Sequence, residues 1–378
     1  MFTKENTKQI KGIAILLMLA HHLLAFPGHV PYGVTIQTSF YLSGMELTEL
    51  IGGFGKICVS IYMFMGGYGL YKRYVSCIAN NVECNRFGSD VVKLYKAYWK
   101  VFLIFVPIAF LFFGNQGQYC ADIASCTRYD VWVLKDFFQN FFGLSRSYNS
   151  EWWFFWSYLL ALFQGYVFIE LFRNKKNLYL EFATVIIWII LLMNVFPLLP
   201  FEEGYHILWE NTWYNEIFLG SEYTPVFFVG IIFAKYDIFA SWNGYLSELK
   251  KTERVAIALI GAGLIVYVRQ FFLKVDFEVV IVPIFVFICY VFVQETGFLK
   301  RPLEFLGAHS TNIWLIHTFL CFYFGAVAKF IFGFNNAVIA YAILLLLSIG
   351  SSILVELIWK WIGKGYLFLS TCFTKRSR

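Results

Sequence analysis

The chain is short of charge. Asp, Glu, Lys and Arg make up 14% of its 378 residues, against about a quarter in an average soluble domain. A soluble protein of this length needs a polar surface that this sequence lacks, so the soluble globular class is excluded. Internal repeats, low-complexity stretches and linkers are also missing. We therefore assign one membrane domain over residues 1–378. No loop between the apolar runs approaches the length of a catalytic domain, which leaves any chemistry to the helices and their connections. No Cys/His cluster has the spacing of a zinc site, and no metal or permanently bound cofactor is expected. The formal charge of +6 is weak ground for nucleic-acid binding, and none is expected.

Apolar residues are abundant. They make up 59% of the chain, and aromatics alone make up 21%. The apolar runs are long and continuous, where a transmembrane barrel would show short alternating segments. The fold class read from this pattern is an all-α polytopic protein of the cell membrane, surrounded by lipid. A helix needs ~20 apolar residues to cross the hydrocarbon. Ten candidate spans emerge, at about 10–27, 54–72, 98–114, 152–172, 180–200, 223–240, 254–272, 278–297, 309–330 and 336–360. Gly-rich stretches, "IGGFG" and "GGYG", flank or punctuate the second span and allow close helix approach. With the N-terminus placed inside, 23 of the 30 Lys and Arg fall in inner segments and seven in outer ones. That bias predicts that both termini are cytoplasmic. A signal peptide is the alternative for the N-terminus. Lys4, Lys8 and Lys11 resemble its basic region and Ile13 to Ala20 its apolar one. However, two histidines stand where a small-residue cleavage site belongs, so the segment is read as a retained helix.

Two outer loops, from about Asn115 to Glu151 and from about Phe201 to Glu222, are long enough to hold structure. Cys120 and Cys126 share the first, where a disulfide would form if that side is oxidising. The second carries glutamates and aromatics without Lys or Arg. That is a weak fit to a saccharide surface, and an ordinary acidic, belt-rich loop is the simpler reading.

Ionisable residues inside the apolar runs carry the functional argument, because such groups face a bundle interior or a water-filled cavity. In "KGIAILLMLAHHLLAF", eleven residues separate Lys11 from His22. At 3.6 residues per turn this leaves a net rotation of only ~20°, so Lys11, Ile15, Met18 and His22 share one stripe while His21 points ~80° away. The rise places His22 ~16 Å above Lys11, past the middle of a ~30 Å core. An imidazole there suits a general base; an interhelical hydrogen bond is the structural alternative. In "FLGAHSTNIWLIHTFL", Ser310, Trp314 and His317 share a face, and a structural hydrogen bond competes with a functional role for His317. His309 falls at the inner interface. "NSEWWFFWSYLLALF" places Glu151, Trp153 and Tyr158 at the outer start of the fourth span. Interface anchoring explains the tryptophans; the nearby carboxylate and tyrosine suit a substrate lining. On the inner side, Lys11, Lys72, Arg73, Lys93 and Lys96 could cradle an anion, although basic residues are required there by topology alone.

Taken together and in order, these segments resemble the acyltransferase 3 family of integral membrane enzymes. "KGIAILLMLAHH" resembles that family's opening helix, in which a histidine follows a basic residue by eleven positions. "VSIYMFMGGYGLYKR" resembles its second helix, with Gly66 in a place where Ser is common. "KLYK" resembles its Arg-x-x-Arg, with lysine at 93 and 96 and without the usual following proline. "WFFWSYL" and "FFVGIIFAK" resemble later segments, and "FLGAHSTNIWLIHTFL" resembles its Ser-x-x-x-Tyr-Leu-x-His. The resemblance implies transfer of an acyl group, usually acetyl, from cytoplasmic acyl-CoA to a hydroxyl of an extracytoplasmic glycan or lipid-linked saccharide. It implies His22 as general base or relay, and His317 as a further catalytic residue that orients a partner. Lys11, Lys72, Arg73, Lys93 and Lys96 would meet the donor's phosphates, and Glu151, Trp153, Tyr158 and Ser310 the acceptor. A proton-coupled transporter of a small acid or saccharide is the competing reading, because intramembrane histidines fit it equally. A membrane scaffold is a third reading, and it leaves the Lys11–His22 stripe unexplained.

Overall fold

A computed structural model describes residues 2–31, 34, 36, 41–42, 44–84, 86–116, 127–192, 221–271 and 277–376. Cys120, Cys126 and most of the acidic loop lie outside these residues. The first helix, α1 (Lys4–Leu24), opens on a reciprocal cap. The Thr3 N–H donates to Asn6 Oδ1 at 2.8 Å, and the Asn6 N–H donates to Thr3 Oγ1 at 3.3 Å. Two of the helix's orphan donors are thereby satisfied. Glu5 stands in the first turn, and hydrogen bonds from the backbone and Thr3 hold its carboxyl below the usual carboxylate range.

Helices α2 (Leu47–Gly55), α3 (Cys58–Ala79), α4 (Phe87–Phe112), α5 (Leu134–Phe141), α6 (Trp153–Leu171) and α7 (Leu178–Ile190) follow. After them come α8 (Thr224–Lys235), α9 (Ile238–Leu246), α10 (Lys251–Phe271) and α11 (Glu278–Thr296). The last are α12 (Lys300–Thr318), α13 (Gly325–Phe332) and α14 (Ala337–Arg376). The only strands among the described residues, β1 (Tyr41–Leu42) and β2 (Met45–Glu46), form a small antiparallel hairpin, with Tyr41 opposite Glu46 and Gly44 at φ +83° in its turn. Where described, the predicted spans are mostly helical, with breaks at 56–57, 236–237 and 324. Among the described residues, six helices are long and apolar enough to cross a membrane alone, or up to eight when each bent pair counts as one span.

The two bent pairs differ from the straight spans read from the sequence. α8 and α9 meet at 66°, where Asp237 adopts a left-handed φ of +45°. α12 continues as a π-helical turn over Phe319–Tyr323 and then bends by 85° into α13 at Phe324.

The chain forms two compact units. The first comprises Met1–His21, Glu49–Val92 and Ser150–Ala308. Its centre is α3 packed on α8, and glycine makes that contact. A β-carbon on Gly67 would overlap the Phe227 carbonyl, and one on Gly230 the Phe64 carbonyl. Small residues in this way let backbones touch where lipid supplies no hydrophobic drive. α1 meets the first half of α12 by the same device, Gly12 against Leu303 and Gly307 against Lys8. Two buried ion pairs complete this unit. Arg269 Nη2 lies 2.5 Å from Glu278 Oε1, and Ser60 Oγ donates to the same carboxylate. Lys235 Nζ lies 2.5 Å from Glu181 Oε1, which also accepts from the Tyr236 hydroxyl at 3.1 Å.

The second unit comprises His22–Thr48, Lys93–Asn149 and His309–Arg378. Its core is aromatic. Phe105 and Phe113 stack on Phe324, while Tyr129 and Tyr148 close over Phe110. α14 turns a stripe of Leu344, Ser348, Ser352 and Val355 inward.

Candidate active site

His22 and His317 meet in the second unit. His22 is on the last turn of α1 and His317 on the last turn of α12, and both are buried, at 8% and 0% exposure. Their rings lie 4.7 Å apart, with His317 Nε2 and His22 Nδ1 at 2.9 Å. The backbone decides the proton positions. His317 Nδ1 sits 2.8 Å from the Trp314 carbonyl and 3.1 Å from that of Ile313. Carbonyl oxygens only accept, so Nδ1 of His317 carries hydrogen. In the neutral pair Nε2 of His317 is then the acceptor, and His22 donates to it from Nδ1. That leaves the lone pair of His22 on Nε2. Such an arrangement can serve chemically as a base, because an orienting acceptor holds the second nitrogen of His22.

The local chain explains why His317 is held so firmly. The π-helical turn begins two residues after it, and such turns recur at functional sites. Thr318, fully buried beside it, bonds to Asn149 through both amide atoms, Nδ2 donating at 2.8 Å and Oδ1 accepting at 3.2 Å. Aromatic rings enclose His22. Phe26 stacks on it at 5.9 Å, and Phe322 stands edge-on at 5.9 Å. Beyond these, His29 packs against Phe322 at 4.3 Å and against Phe26 at 5.6 Å. The sequence reading missed Asn149, Thr318, His29 and Phe322. Asn149 was within sight, two residues before Glu151. His29 follows His22 by two turns but lies beyond the helix end.

His21 takes the separate course expected from its angle. Its Nδ1 bonds the Gly52 carbonyl at 2.8 Å in the first unit, which is a structural tie. His309 Nδ1 lies 2.9 Å from Ser352 Oγ. Ser310 is buried two turns from His317, about 10 Å along α12.

The basic residues divide by their partners. Lys11 is partly buried, and its ammonium has no ion-pair or hydrogen-bond partner among the described residues. Lys93 and Lys96 are exposed on α4. Lys72 is already paired with Asp237, and Arg73 forms a fork on Asp90, with Nη1 at 2.8 Å and Nη2 on the second oxygen. On the acceptor side of the sequence reading, Glu151 lies in the 3₁₀ turn before α6, and the Trp153 ring stands 5.8 Å from Tyr223. Tyr158 packs over Gly66 beside Phe227. Among the described residues, no group of three or more His, Cys, Asp or Glu is arranged to hold a metal.

Neither a curated protein nor a solved structure matches the chain. The sequence model of the acyltransferase 3 family, described as an acyltransferase domain, matches residues 8–357. That match spans both histidines of the dyad and most of the chain, and the protein therefore belongs to the acyltransferase 3 family of membrane acyltransferases.

Proposed function

We propose that the protein is an O-acyltransferase of the cell membrane. It moves an acyl group, acetyl in the simplest case, from cytoplasmic acyl-CoA to a hydroxyl of an extracytoplasmic saccharide, free or lipid-linked. The observation that carries this reading is the His22–His317 hydrogen bond with its backbone-assigned tautomer.

In this mechanism His22 Nε2 takes the proton of the acceptor hydroxyl as its oxygen attacks the thioester carbonyl carbon. The new C–O bond forms, the C–S bond breaks, and the leaving thiolate recovers the proton from His22. While His22 is cationic, its Nδ1–H remains on His317 Nε2, and the Trp314 and Ile313 carbonyls hold the far side of that ring. The step needs no covalent acyl-enzyme.

The donor's phosphates are assigned to Lys11, Lys93 and Lys96, on their charge and on the family-like segments that carry them. The ammonium of Lys11 supports this, because a partly buried cation is stabilised by a bound anion. Lys72 and Arg73 would have to exchange Asp237 and Asp90 for phosphate, so they are given a supporting place. Glu151, Trp153 and Tyr158 are assigned to the acceptor, with Ser310 orienting it. Lysine offers a point charge where arginine offers a fork, which suits retention of a flexible pyrophosphate more than rigid positioning.

The test is acyl transfer by purified protein in vesicles, with radiolabelled acetyl-CoA on one side and extracted cell-surface saccharide on the other. Label should move to the saccharide, and free CoA should appear only when both substrates are present. Movement of saccharide or small acid without acyl-CoA would instead favour the transporter reading.

A further inference from the structure

The segment that follows α4 does not stay at the outer end of that helix. Asp130 is anchored there, its Oδ1 accepting the Asn115 N–H at 2.6 Å just past the end of α4. From that point the chain runs back along α4. Phe137 and Phe141 pack on Phe102, and Phe141 stacks on Trp99 at 5.0 Å. The end of α5 reaches Tyr95, whose hydroxyl donates to the Phe142 carbonyl at 3.0 Å. Tyr95 and Phe112 are 17 residues apart on one helix, or about 25 Å along its axis. The chain then turns at Gly143, with φ +71°, and returns to Tyr148 beside Phe110 and to Asn149 on Thr318.

Two further observations set the surroundings of this segment. The first is the satisfaction of every carbonyl in the last turn of α5. The Phe138 carbonyl accepts from the Phe142 N–H, and the Gln139 carbonyl from the N–H groups of Leu144 and Ser145. Those of Asn140, Phe141 and Phe142 accept from Tyr98 Oη at 2.6 Å, Trp99 Nε1 at 2.8 Å and Tyr95 Oη. Water would serve these groups at no cost in a solvated loop, whereas hydrocarbon requires that the protein supply the donors. The second is the outward face. Trp132, Leu134, Phe138, Phe142 and Leu144 are exposed, and they continue the exposed apolar surface of α4 at Leu103, Leu111 and Phe112. α4 is itself long and apolar enough to cross a membrane. Lys135 and Asp136 stand in the first turn of α5, its outermost part, where the acid suits the helix dipole and the lysine stem can carry its charge outward.

We infer that residues 127–149 form a re-entrant hairpin in the bilayer, and that the face of α5 bearing Leu134, Phe138 and Phe142 is a contact surface for lipid acyl chains. The inference is independent of the acyl-transfer reading. Tyr95, Tyr98 and Trp99 gain a defined task in it. Interleaved with Lys93, Lys96 and Lys100 on α4, these aromatics cap the tip of the hairpin near the inner interface.

The experiment uses full-length protein reconstituted in phosphatidylcholine vesicles, with a nitroxide on Phe138→Cys, on Leu111→Cys or, as an aqueous reference in the exposed loop after α3, on Glu83→Cys. The signal of unsubstituted protein is subtracted. The side chains at 83, 111 and 138 are exposed in the structure, so substitution leaves the core intact. Relaxation by oxygen relative to a water-soluble nickel chelate present on both sides should be several-fold higher at 138 than at 83, matching 111. Chelate access at 138 equal to that at 83 would show an aqueous loop and overturn the inference.

Discussion

His21 and His22 are adjacent, yet they enter different networks. The 100° step between them sends one ring to the Gly52 carbonyl and the other to His317. This makes a matched experiment. His22→Ala should lower kcat/KM for acyl transfer about 10²–10⁴-fold, the usual contribution of a positioned base, with insertion and thermal unfolding nearly unchanged. His21→Ala should leave turnover close to normal and shift the unfolding temperature instead. Equal activity in the two variants would remove His22 from the chemistry. In the proposed mechanism His317 acts through His22, so His317→Ala should reduce kcat with little change in donor KM. Lys11→Ala, on the donor assignment, should do the reverse and raise the KM for acyl-CoA.

At the scale of elements, close backbone contact and buried charge hold the first unit together. Gly230→Val must push α8 off the Phe64 carbonyl. Overpacking of this kind costs about 1–3 kcal/mol or more and should appear as a lowered midpoint of unfolding in detergent. The Arg269–Glu278 pair allows a sharper comparison. Arg269→Met alone strands the Glu278 carboxylate in a buried site, which costs about 3–5 kcal/mol. Arg269→Met with Glu278→Met should recover much of that loss. If the double variant is no more stable than the single one, the cluster has a role beyond pairing. Pattern alone does not reveal this pair, since Arg269 falls near the end of one predicted span, 254–272, and Glu278 opens the next. Their charges cancel only because α10 and α11 form a hairpin.

For the whole molecule, the balance of Lys and Arg predicts that both termini are cytoplasmic. Reporters fused at residue 378 and at the loop near residue 176 should both signal from the inner side, and one near residue 335 from the outer side. A re-entrant hairpin at 127–149 keeps that alternation, because it enters and leaves by the same face. Two spans proved to be bent, at Asp237 and Phe324. Hydropathy could not show this, because it averages over a window and is blind to a single backbone angle.

Composition and period were enough to establish a helical membrane protein, and ordered motifs along the chain were enough to point to its family. These depend on neighbours along the chain, where 3.6 residues per turn and the thickness of hydrocarbon convert spacing directly into position. The partner of His22 was a different kind of fact. His317 lies 295 residues away, and nothing local distinguishes an imidazole that meets another from one that bonds its own helix. Packing of the second unit decided that pairing, the tautomer that follows from it and the inward course of α5. Each rests on which buried donors and acceptors find one another when water is excluded, and that is settled only when the chain is folded.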